Sequence, residues 1–309
     1  MNQTLSPVQA RNLQRSLNTR IGNLSKETGR SRDSLRSQLV FQCFLKRVFS
    51  SPSEWVLKGG TALLMRNGDG RFTRDIDLAR SRAWNDISEI RQEFERIAQL
   101  SGDDGFVFKV SSVGQKSVVD DGYATPTAEV KVEVRLGAKR FHTINIDVSL
   151  RRHTQIPLEK VYVDPLLNEL LGESKCSSFT VLVTAIEAHL ADKICAMFEP
   201  HRNGVSMRFH DLADIIQIIR TQNFSAEKFL EVLHHEVARR RMDWPARITS
   251  PGPVWEEKYP INATQYAGLP RELQSLQSSL DYAGSCLNEV LKGERTQGTW
   301  KHEQLSWVN

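Results

Sequence analysis

The chain has 309 residues, of which 39% are hydrophobic and 25% are charged, so it can bury a substantial core and is typical of a globular protein with two subdomains. No apolar run approaches the roughly 18 to 20 residues that a membrane span needs, and residues 1–17 contain no apolar stretch typical of a signal peptide. The four cysteines are scattered without a C-x-x-C pair, which argues against a zinc site and a disulfide framework. We therefore expect a cytoplasmic protein with no membrane segment.

The net charge is only +4, but the basic residues are unevenly distributed. Residues 1–50 contain nine Lys and Arg against two acidic residues, whereas the remainder is slightly acidic. Because basic side chains that neutralise phosphates gain free energy from counterion release, this asymmetry favours a polyanionic partner such as RNA. A solvated helix face explains the same pattern equally well.

Helix and strand patterns follow one another through the first half of the chain. Apolar residues at helical spacing predict two basic helices within residues 1–50. The next predicted elements are a strand at 54–57, a helix at 61–67, a strand at 74–79 and a helix at 84–100. Alternating apolar and polar residues then predict strands at 106–113, 127–136 and 143–150, which indicates a small mixed sheet.

After about residue 157 the pattern is mainly helical, with predicted helices at 183–198, 209–220, 226–240 and 273–291. The segment 243–270 is rich in Pro, Gly and aromatic residues, which predicts an irregular connection. We therefore predict an α+β fold in three parts. These are a basic helical region at 1–53, a mixed-sheet core at 54–157 and a helical C-terminal region at 158–309.

Two aspartates share one face of the strand predicted at 74–79. Side chains alternate along a strand, so Asp75 and Asp77 point the same way and lie about 6 to 7 Å apart at their Cα atoms. Their mutual repulsion is relieved by a divalent cation, and Mg²⁺ is typically held by one or two carboxylates together with substrate phosphates. Asp147, in a later strand with the same alternation, is a third candidate if the two strands are neighbours.

The segment Lys58-Gly59-Gly60-Thr61 lies where a predicted strand becomes a helix. Backbone N–H groups at a helix N-terminus attract anions, and glycine allows a phosphate to approach closely. A G-G-T turn alone is a weak signal, and so is an isolated D-x-D. Together with a later strand aspartate, the combination indicates a phosphate-binding metal site.

The motifs resemble the nucleotidyltransferase toxins of the AbiEii type, which belong to the DNA polymerase β-like superfamily. The resemblance rests on Lys58-Gly59-Gly60-Thr61-Ala62-Leu63, on Arg71-Phe72-Thr73-Arg74-Asp75-Ile76-Asp77-Leu78, on Lys193 within a helix, and on the R-x-x-D-x-x-D pattern that begins at Arg208. It covers about residues 54–220. It implies a nucleotidyltransferase fold, with a mixed-sheet core flanked by N-terminal helices and a C-terminal helical domain that completes the active site.

The resemblance implies Mg²⁺-dependent transfer of a nucleoside monophosphate from an NTP to an acceptor, with release of pyrophosphate. Asp75 and Asp77 would hold the metal, with Mn²⁺ as an alternative, and Asp147 would complete a second metal site or act as the base. Lys193 would neutralise the triphosphate, and Asp211 would orient Lys193 or touch the base or ribose. The residues expected to bind the nucleotide are Lys58, Gly59, Gly60, Thr61, Arg71, Thr73 and Lys193.

The same resemblance implies the toxin of a toxin–antitoxin pair that extends the 3′ end of tRNA and so blocks translation. A cognate antitoxin is expected, which binds the toxin directly or acts as a kinase. Phosphorylation of Thr73 would add negative charge beside Asp75 and Asp77, whereas the competing interpretation of Thr73 is a local hydrogen bond. A protein or small-molecule acceptor and a non-catalytic RNA-binding phage-exclusion module are the alternative functions.

Other residues give weaker signals. The sequence His234-His235-Glu236 lacks the histidine spacing of a zinc-binding helix, so a solvated helix face is favoured. Arg66 is interpreted as a phosphate contact, because it lies within the motif region. Trp244, Trp255 and Tyr259 are interpreted as core residues rather than as platforms for bases.

Overall fold

The computed structural model describes residues 5–50, 54–68, 73–80, 84, 86–115, 127–149, 156–164, 168–171, 178–199, 204–266 and 268–309. The strands are β1 (Trp55–Lys58), β2 (Asp75–Arg80), β3 (Phe106–Gln115), β4 (Thr127–Leu136), β5 (Lys139–Ser149), β6 (Leu158–Val163), β7 (Phe179–Thr184), β8 (Phe224–Ser225), β9 (Thr299–Lys301) and β10 (Ser306–Val308). The helices are α1 (Pro7–Thr28), α2 (Arg32–Val48), α3 (Gly59–Asn67), α4 (Ile87–Gln99), α5 (Asn168–Leu171), α6 (Ile186–Phe198), α7 (Phe209–Thr221), α8 (Ala226–Arg240), α9 (Pro253–Ala263) and α10 (Leu276–Leu291), with a 3-10 helix at Arg271–Leu273.

Seven strands form one mixed sheet in the order β3-β4-β5-β2-β1-β7-β6. Strand β2 is antiparallel to β1 and parallel to β5, and β1 is parallel to β7. The pairs β3–β4 and β4–β5 are antiparallel. The sheet therefore places β2, which carries Asp75 and Asp77, directly between β1 and the strand that carries Asp147.

The two faces of the sheet differ because apolar and polar residues alternate along its central strands. Ile144, Ile146 and Val148 of β5 are fully buried, and α2 packs against β5. His142, at the same alternation, lies 3.0 Å from the Ser37 hydroxyl of α2. The residues between these positions, including Asp147, are therefore on the opposite face of β5, where they are only half-buried.

The chain forms two compact units. The first contains α1–α5 and the large sheet up to Val183. The second contains α6–α10 and a small sheet in the order β10-β9-β8, with α6 packed against α7 and α8 and with α10 packed against α7. The predicted three-part division into 1–53, 54–157 and 158–309 stays a prediction.

Most predicted elements are present, and the predicted α+β fold class is confirmed. The predicted strand at 127–136 and the predicted helix at 226–240 have the bounds observed for β4 and α8. Two predictions are wrong. The part of the chain after about residue 157, predicted to be mainly helical, contains strands β6 and β7, and α9 occupies part of the segment predicted to be irregular.

The physical reasons for these errors are local. The apolar run Val181-Leu182-Val183 in β7 is short, and it continues directly into a helical pattern, so periodicity alone does not separate strand from helix. Helix α9 contains Pro260 in its interior and starts after Gly252, and both residue types are typical of loops. Burial of Trp255 and Tyr259 stabilises α9 in spite of its composition.

Candidate active site

One row of charged residues crosses four neighbouring strands of the large sheet. Lys58 of β1 is opposite Asp77, Asp77 is opposite Asp147, and Asp147 is opposite Glu129 of β4. Residues that are paired in this way point to the same face, and all four are half-buried. The sheet thus aligns the carboxylates of Asp77 and Asp147 next to a lysine.

Asp75 lies one step along the same face, opposite Asn145 of β5. Ile76 and Leu78, which alternate with the aspartates, are fully buried. The predicted orientation of Asp75 and Asp77 toward one face is therefore confirmed. Asp75, Asp77, Asp147 and Glu129 together form the acidic row of this face. The burial of the two apolar residues fixes this orientation, since a slip of one residue would bury the carboxylates instead.

Gly59 lies against the carboxylate of Asp77. Its φ is +62°, in the left-handed region that favours glycine. A Cβ at this position would lie 1.9 Å from Oδ2 of Asp77, so the backbone and the carboxylate approach each other more closely than any side chain would allow. The glycine thus brings the junction between β1 and α3 next to the acidic row.

The N-terminus of α3 begins at this junction. Its N-cap residue is Lys58, which makes no side-chain hydrogen bond to the first turn. The N-caps of α2, α4, α8 and α10, by contrast, are Ser or Asp residues whose side chains accept hydrogen bonds from backbone N–H groups. The first-turn N–H groups of α3 therefore suit an anion, as the phosphate-cradle prediction requires.

Two threonine hydroxyls donate hydrogen bonds to the carbonyl oxygen of Asp75. The Thr61 hydroxyl lies 2.6 Å from it and the Thr73 hydroxyl lies 3.2 Å from it. Thr61 is fully buried, and Thr73 is 7% exposed. Both hydroxyls thus hold the start of β2, which differs from the phosphate contact predicted for Thr61 and agrees with the local hydrogen bond considered for Thr73.

Arg71 lies outside the described residues. Arg66 forms an ion pair with Glu159, and the side chain of Arg66 is 6% exposed. We therefore interpret Arg66 as a member of a structural ion pair and not as a phosphate contact.

Lys193 and Asp211 lie together in the second unit. The Lys193 Nζ atom is 2.8 Å from Asp211 Oδ1 and 2.9 Å from Asp214 Oδ2. Lys193 is 2% exposed, Asp211 is fully buried and Asp214 is 1% exposed. Helices α6 and α7 thus enclose an ammonium group between two carboxylates.

Arg208, the N-cap of α7, binds Asp211 from the protein surface. Lys193, Arg208, Asp211 and Asp214 together form the ion set. Its Nε atom donates to Asp211 Oδ2 at 2.6 Å, and 47% of its side chain is exposed. Burial opposes ionisation of Asp211, but Lys193 and Arg208 outweigh it and hold the pKa of Asp211 below its usual range. Burial lowers the pKa of Arg208, but Asp211 more than compensates and raises it. Asp211 and Arg208 therefore both stay ionised.

Within the described residues, no group of three or more His, Cys, Asp or Glu side chains is arranged to hold a metal ion. A divalent cation nevertheless fits the acidic row, because Mg²⁺ needs only one or two protein carboxylates when substrate phosphates supply the other oxygens. Asp75 and Asp77 provide the two carboxylates. The close approach of Gly59 to Asp77 leaves no side chain between that carboxylate and the N-terminus of α3.

Sequence reasoning missed Glu129, and it included Asp214 in the motif that begins at Arg208 without giving it a role. Glu129 alternates with buried valines in β4, and its pairing with Asp147 depends on strand order, which the sequence does not show. Asp214 lies one helical turn after Asp211, a spacing that places both on one helix face. That spacing was the available signal for the second carboxylate beside Lys193.

Three observations bear on the weaker candidates. Trp255 and Tyr259 are fully buried, so their prediction as core residues is confirmed, whereas Trp244 is only half-buried and stacks on His234. The prediction of a solvated face is wrong for Glu236, which is 4% exposed and binds Arg239 and Arg240. In the described residues, no helix is long and apolar enough to cross a membrane.

The family described as "Nucleotidyl transferase AbiEii toxin, Type IV TA system" matches residues 43–292, and the chain belongs to this family. Among curated proteins, none matches the sequence. Two solved structures are similar in outline. JHP933 from Helicobacter pylori has a TM-score of 0.48 at 15% identity, over 85% of this chain and 94% of that chain. A putative nucleotidyltransferase from H. pylori has a TM-score of 0.45 at 14% identity, over 90% of this chain and 99% of that chain.

Proposed function

We propose that the protein transfers a nucleoside monophosphate from an NTP to the 3′ end of tRNA, and that it is the toxin of a pair whose antitoxin counteracts this reaction. The single observation that carries the proposal is the alignment of Asp77 with Asp147 beside Gly59 and the N-terminus of α3. Aligned carboxylates beside an anion-binding backbone suit a metal-bound triphosphate.

The acidic row and its neighbours each have a role in this proposal. Asp75 and Asp77 would hold Mg²⁺ or Mn²⁺, which when bound neutralises the triphosphate and orients its phosphates. The N–H groups of Gly60 and Thr61 bind phosphate oxygens, and Lys58 contributes positive charge beside Asp77. Lys193 and Asp211 are retained as participants because the family motif contains them.

The proposed chemical step is a substitution at the α-phosphorus of the NTP. The oxygen of the acceptor hydroxyl forms a bond to this phosphorus, and its proton passes to the carboxylate of Asp147. The bond between the α-phosphorus and the bridging oxygen breaks, and pyrophosphate leaves with both electrons of that bond. The acceptor keeps the nucleoside monophosphate.

The basic first 50 residues support tRNA as the acceptor, because a small acceptor would not need a cationic surface. Incubation of the purified protein with Mg²⁺, each α-labelled NTP in turn and total tRNA tests this. We expect label on tRNA with at least one NTP. Label on the protein alone would overturn the tRNA assignment in favour of a protein acceptor.

A pair of variants tests the acidic row itself. Asp77→Asn keeps the size of the side chain but removes a carboxylate charge, so we expect transfer to fall below about one hundredth of the wild-type rate. Asp33→Asn is the control, because Asp33 is an exposed residue of α2 whose carboxylate forms a surface ion pair with Arg36. Equal rates for the two variants would contradict the placement of Asp77 in the reaction.

A further inference from the structure

A chain of four hydrogen bonds runs from α9 to Lys193 within the second unit. The indole Nε1 of Trp255 donates to the carbonyl oxygen of Ser206 at 2.7 Å. The Ser206 hydroxyl accepts from the backbone N–H of Arg208 at 3.3 Å. Arg208 Nε then donates to Asp211 Oδ2 at 2.6 Å, and Asp211 Oδ1 accepts from Lys193 at 2.8 Å.

The residues joined by these hydrogen bonds are buried, with the exception of Arg208. Trp255 and Asp211 are fully buried, Ser206 is 1% exposed and Lys193 is 2% exposed. Arg208 alone has a largely exposed side chain, at 47%. This series of hydrogen bonds therefore includes one cationic group that solutes can reach, the guanidinium of Arg208.

Trp255 is held firmly at the other end. Its ring packs edge-on against Phe209, with 4.9 Å between centroids, and stacks on Tyr259 at 6.1 Å. The Tyr259 hydroxyl is 2.7 Å from the Ser279 hydroxyl of α10, which itself lies 2.5 Å from the Leu273 carbonyl oxygen. Helix α9 thus presents a rigid indole N–H to the segment before α7.

The segment that receives this N–H has little regular structure of its own. Residues 206–208 are neither helix nor strand, and the N-cap Arg208 has no side-chain cap to fix the start of α7. The hydrogen bonds of Ser206 are therefore what sets the backbone orientation there. A buried carbonyl that loses its donor is costly, so the peptide would move if the indole N–H were absent.

We propose that Trp255 is a positioning residue, which holds Ser206 and Arg208 so that Arg208 and Lys193 together fix the Asp211 carboxylate for nucleotidyl transfer. The inference rests on the proposed function, which assigns Lys193 and Asp211 to the reaction. It predicts that loss of the indole N–H disturbs the ion set even though Trp255 is fully buried and its N–H binds Ser206.

The chain offers a matched control for the test. Trp300 is also buried, at 4% exposure, and its Nε1 donates to the carbonyl oxygen of Ile219 at 2.8 Å. Ile219 lies near the C-terminal end of the same helix α7. Trp255→Phe and Trp300→Phe therefore remove the same kind of bond from opposite ends of one helix, and only the first affects the ion set.

Two measurements are made on the wild type and both variants. The first is single-turnover transfer with labelled NTP and tRNA. The second is the labelling rate of Lys193 with an amine-reactive reagent, read by mass spectrometry against exposed Lys228, which needs no enzymatic activity.

For Trp255→Phe we expect transfer to fall between about tenfold and a hundredfold, because small misplacements have effects of this size. We also expect Lys193 to be labelled severalfold faster, and Trp300→Phe to leave both values near those of the wild type.

Every outcome bears on the inference. Wild-type transfer and wild-type labelling in Trp255→Phe would overturn it, and so would equal changes in the two variants. If the wild type itself transfers no nucleotide, the proposed function fails and the labelling rates alone decide whether Trp255 positions the ion set. Should Trp255→Phe not fold, Ser206→Ala removes the hydroxyl that accepts from Arg208 and is read in the same two assays.

Discussion

At position 59, any side chain would collide with the carboxylate that faces it. Gly59→Ala combines a backbone strain of about 1 to 2 kcal/mol at positive φ with a Cβ 1.9 Å from Asp77 Oδ2. We expect the variant to lose nucleotidyl transfer, because the Asp77 carboxylate must move to make room. A transfer assay on folded protein measures this.

Gly29→Ala is the control for the backbone strain that a side chain causes at positive φ. Gly29 has a φ of +70° at the C-terminus of α1, and a Cβ there would meet nothing within 4 Å. We expect a similar strain in both variants but normal transfer in Gly29→Ala. Transfer by Gly59→Ala at the rate of Gly29→Ala would show that the position of the Asp77 carboxylate is not critical.

Lys193 illustrates what the sequence leaves undetermined at the scale of one residue. The motif predicted a flexible charge that reaches a triphosphate, whereas the ammonium lies buried between Asp211 and Asp214. Burial depends on how α6 packs against α7, and no local pattern encodes that packing. The orientation of Asp75 and Asp77, by contrast, followed from strand alternation alone.

The burial of Lys193 has a consequence for stability. Lys193→Met leaves two buried carboxylates without their shared cation, so we expect the free energy of unfolding to fall by about 3 to 5 kcal/mol. Urea denaturation measures this. Lys228→Met, at an exposed position of α8, is expected to stay within about 0.5 kcal/mol of the wild type. A stable Lys193→Met protein would show that the two carboxylates find other partners.

At the scale of elements, the predictions succeeded where one face of a strand or helix is buried and the other is not. Strand β4 alternates perfectly, with Val130, Val132 and Val134 fully buried, so its bounds could be predicted to the residue. Strand β7 contains only the short apolar run Val181-Leu182-Val183, which is too short to show such a period. Sheet order, which creates the row from Lys58 to Glu129, depends on contacts between distant segments and could not be predicted.

The basic residues of the first two helices include both buried and exposed side chains. Arg47 of α2 is 4% exposed and forms a buried ion pair with Asp104, so it is structural. Arg11 and Arg15 of α1 are exposed and lie one helical turn apart. Arg11 and Arg15 are therefore candidates for the proposed RNA contact.

Charge reversal on α1 tests that assignment. We expect Arg11→Glu with Arg15→Glu to weaken tRNA binding and to reduce the slope of log affinity against log salt by about 1 to 2, because each lost phosphate contact removes roughly one unit. The control is Lys228→Glu with Lys258→Glu, an equal change of charge at exposed positions of the second unit. Filter binding at several salt concentrations measures both, and equal slopes for the two pairs would rule out α1 as the specific contact.

At the scale of the whole molecule, the buried ion set links stability to pH. The pKa of Asp211 in the folded state lies below its usual value, because Lys193 and Arg208 outweigh the effect of burial. Asp211 therefore contributes stability that is fully present above the unfolded pKa of about 3.9 and is lost as the pH falls through the lower folded pKa. We expect Asp211→Asn to be less stable at pH 7 and to lose less stability below pH 4 than the wild type. Urea denaturation between pH 7 and pH 3 measures this, and parallel curves would contradict it.

Nucleotide binding is expected to stabilise the folded protein as a whole, because a ligand that binds only the native state shifts the unfolding equilibrium. With Mg²⁺ and an NTP at about 100 times its dissociation constant, linkage adds about 2.7 kcal/mol, which raises the melting temperature by about 5 °C. The effect requires the carboxylates of the acidic row, so Asp77→Asn is expected to show little shift and Asp33→Asn the full shift. Differential scanning fluorimetry with and without EDTA measures this without any turnover. A full shift in Asp77→Asn, or one that survives EDTA, would show that the triphosphate binds without a metal held by Asp77.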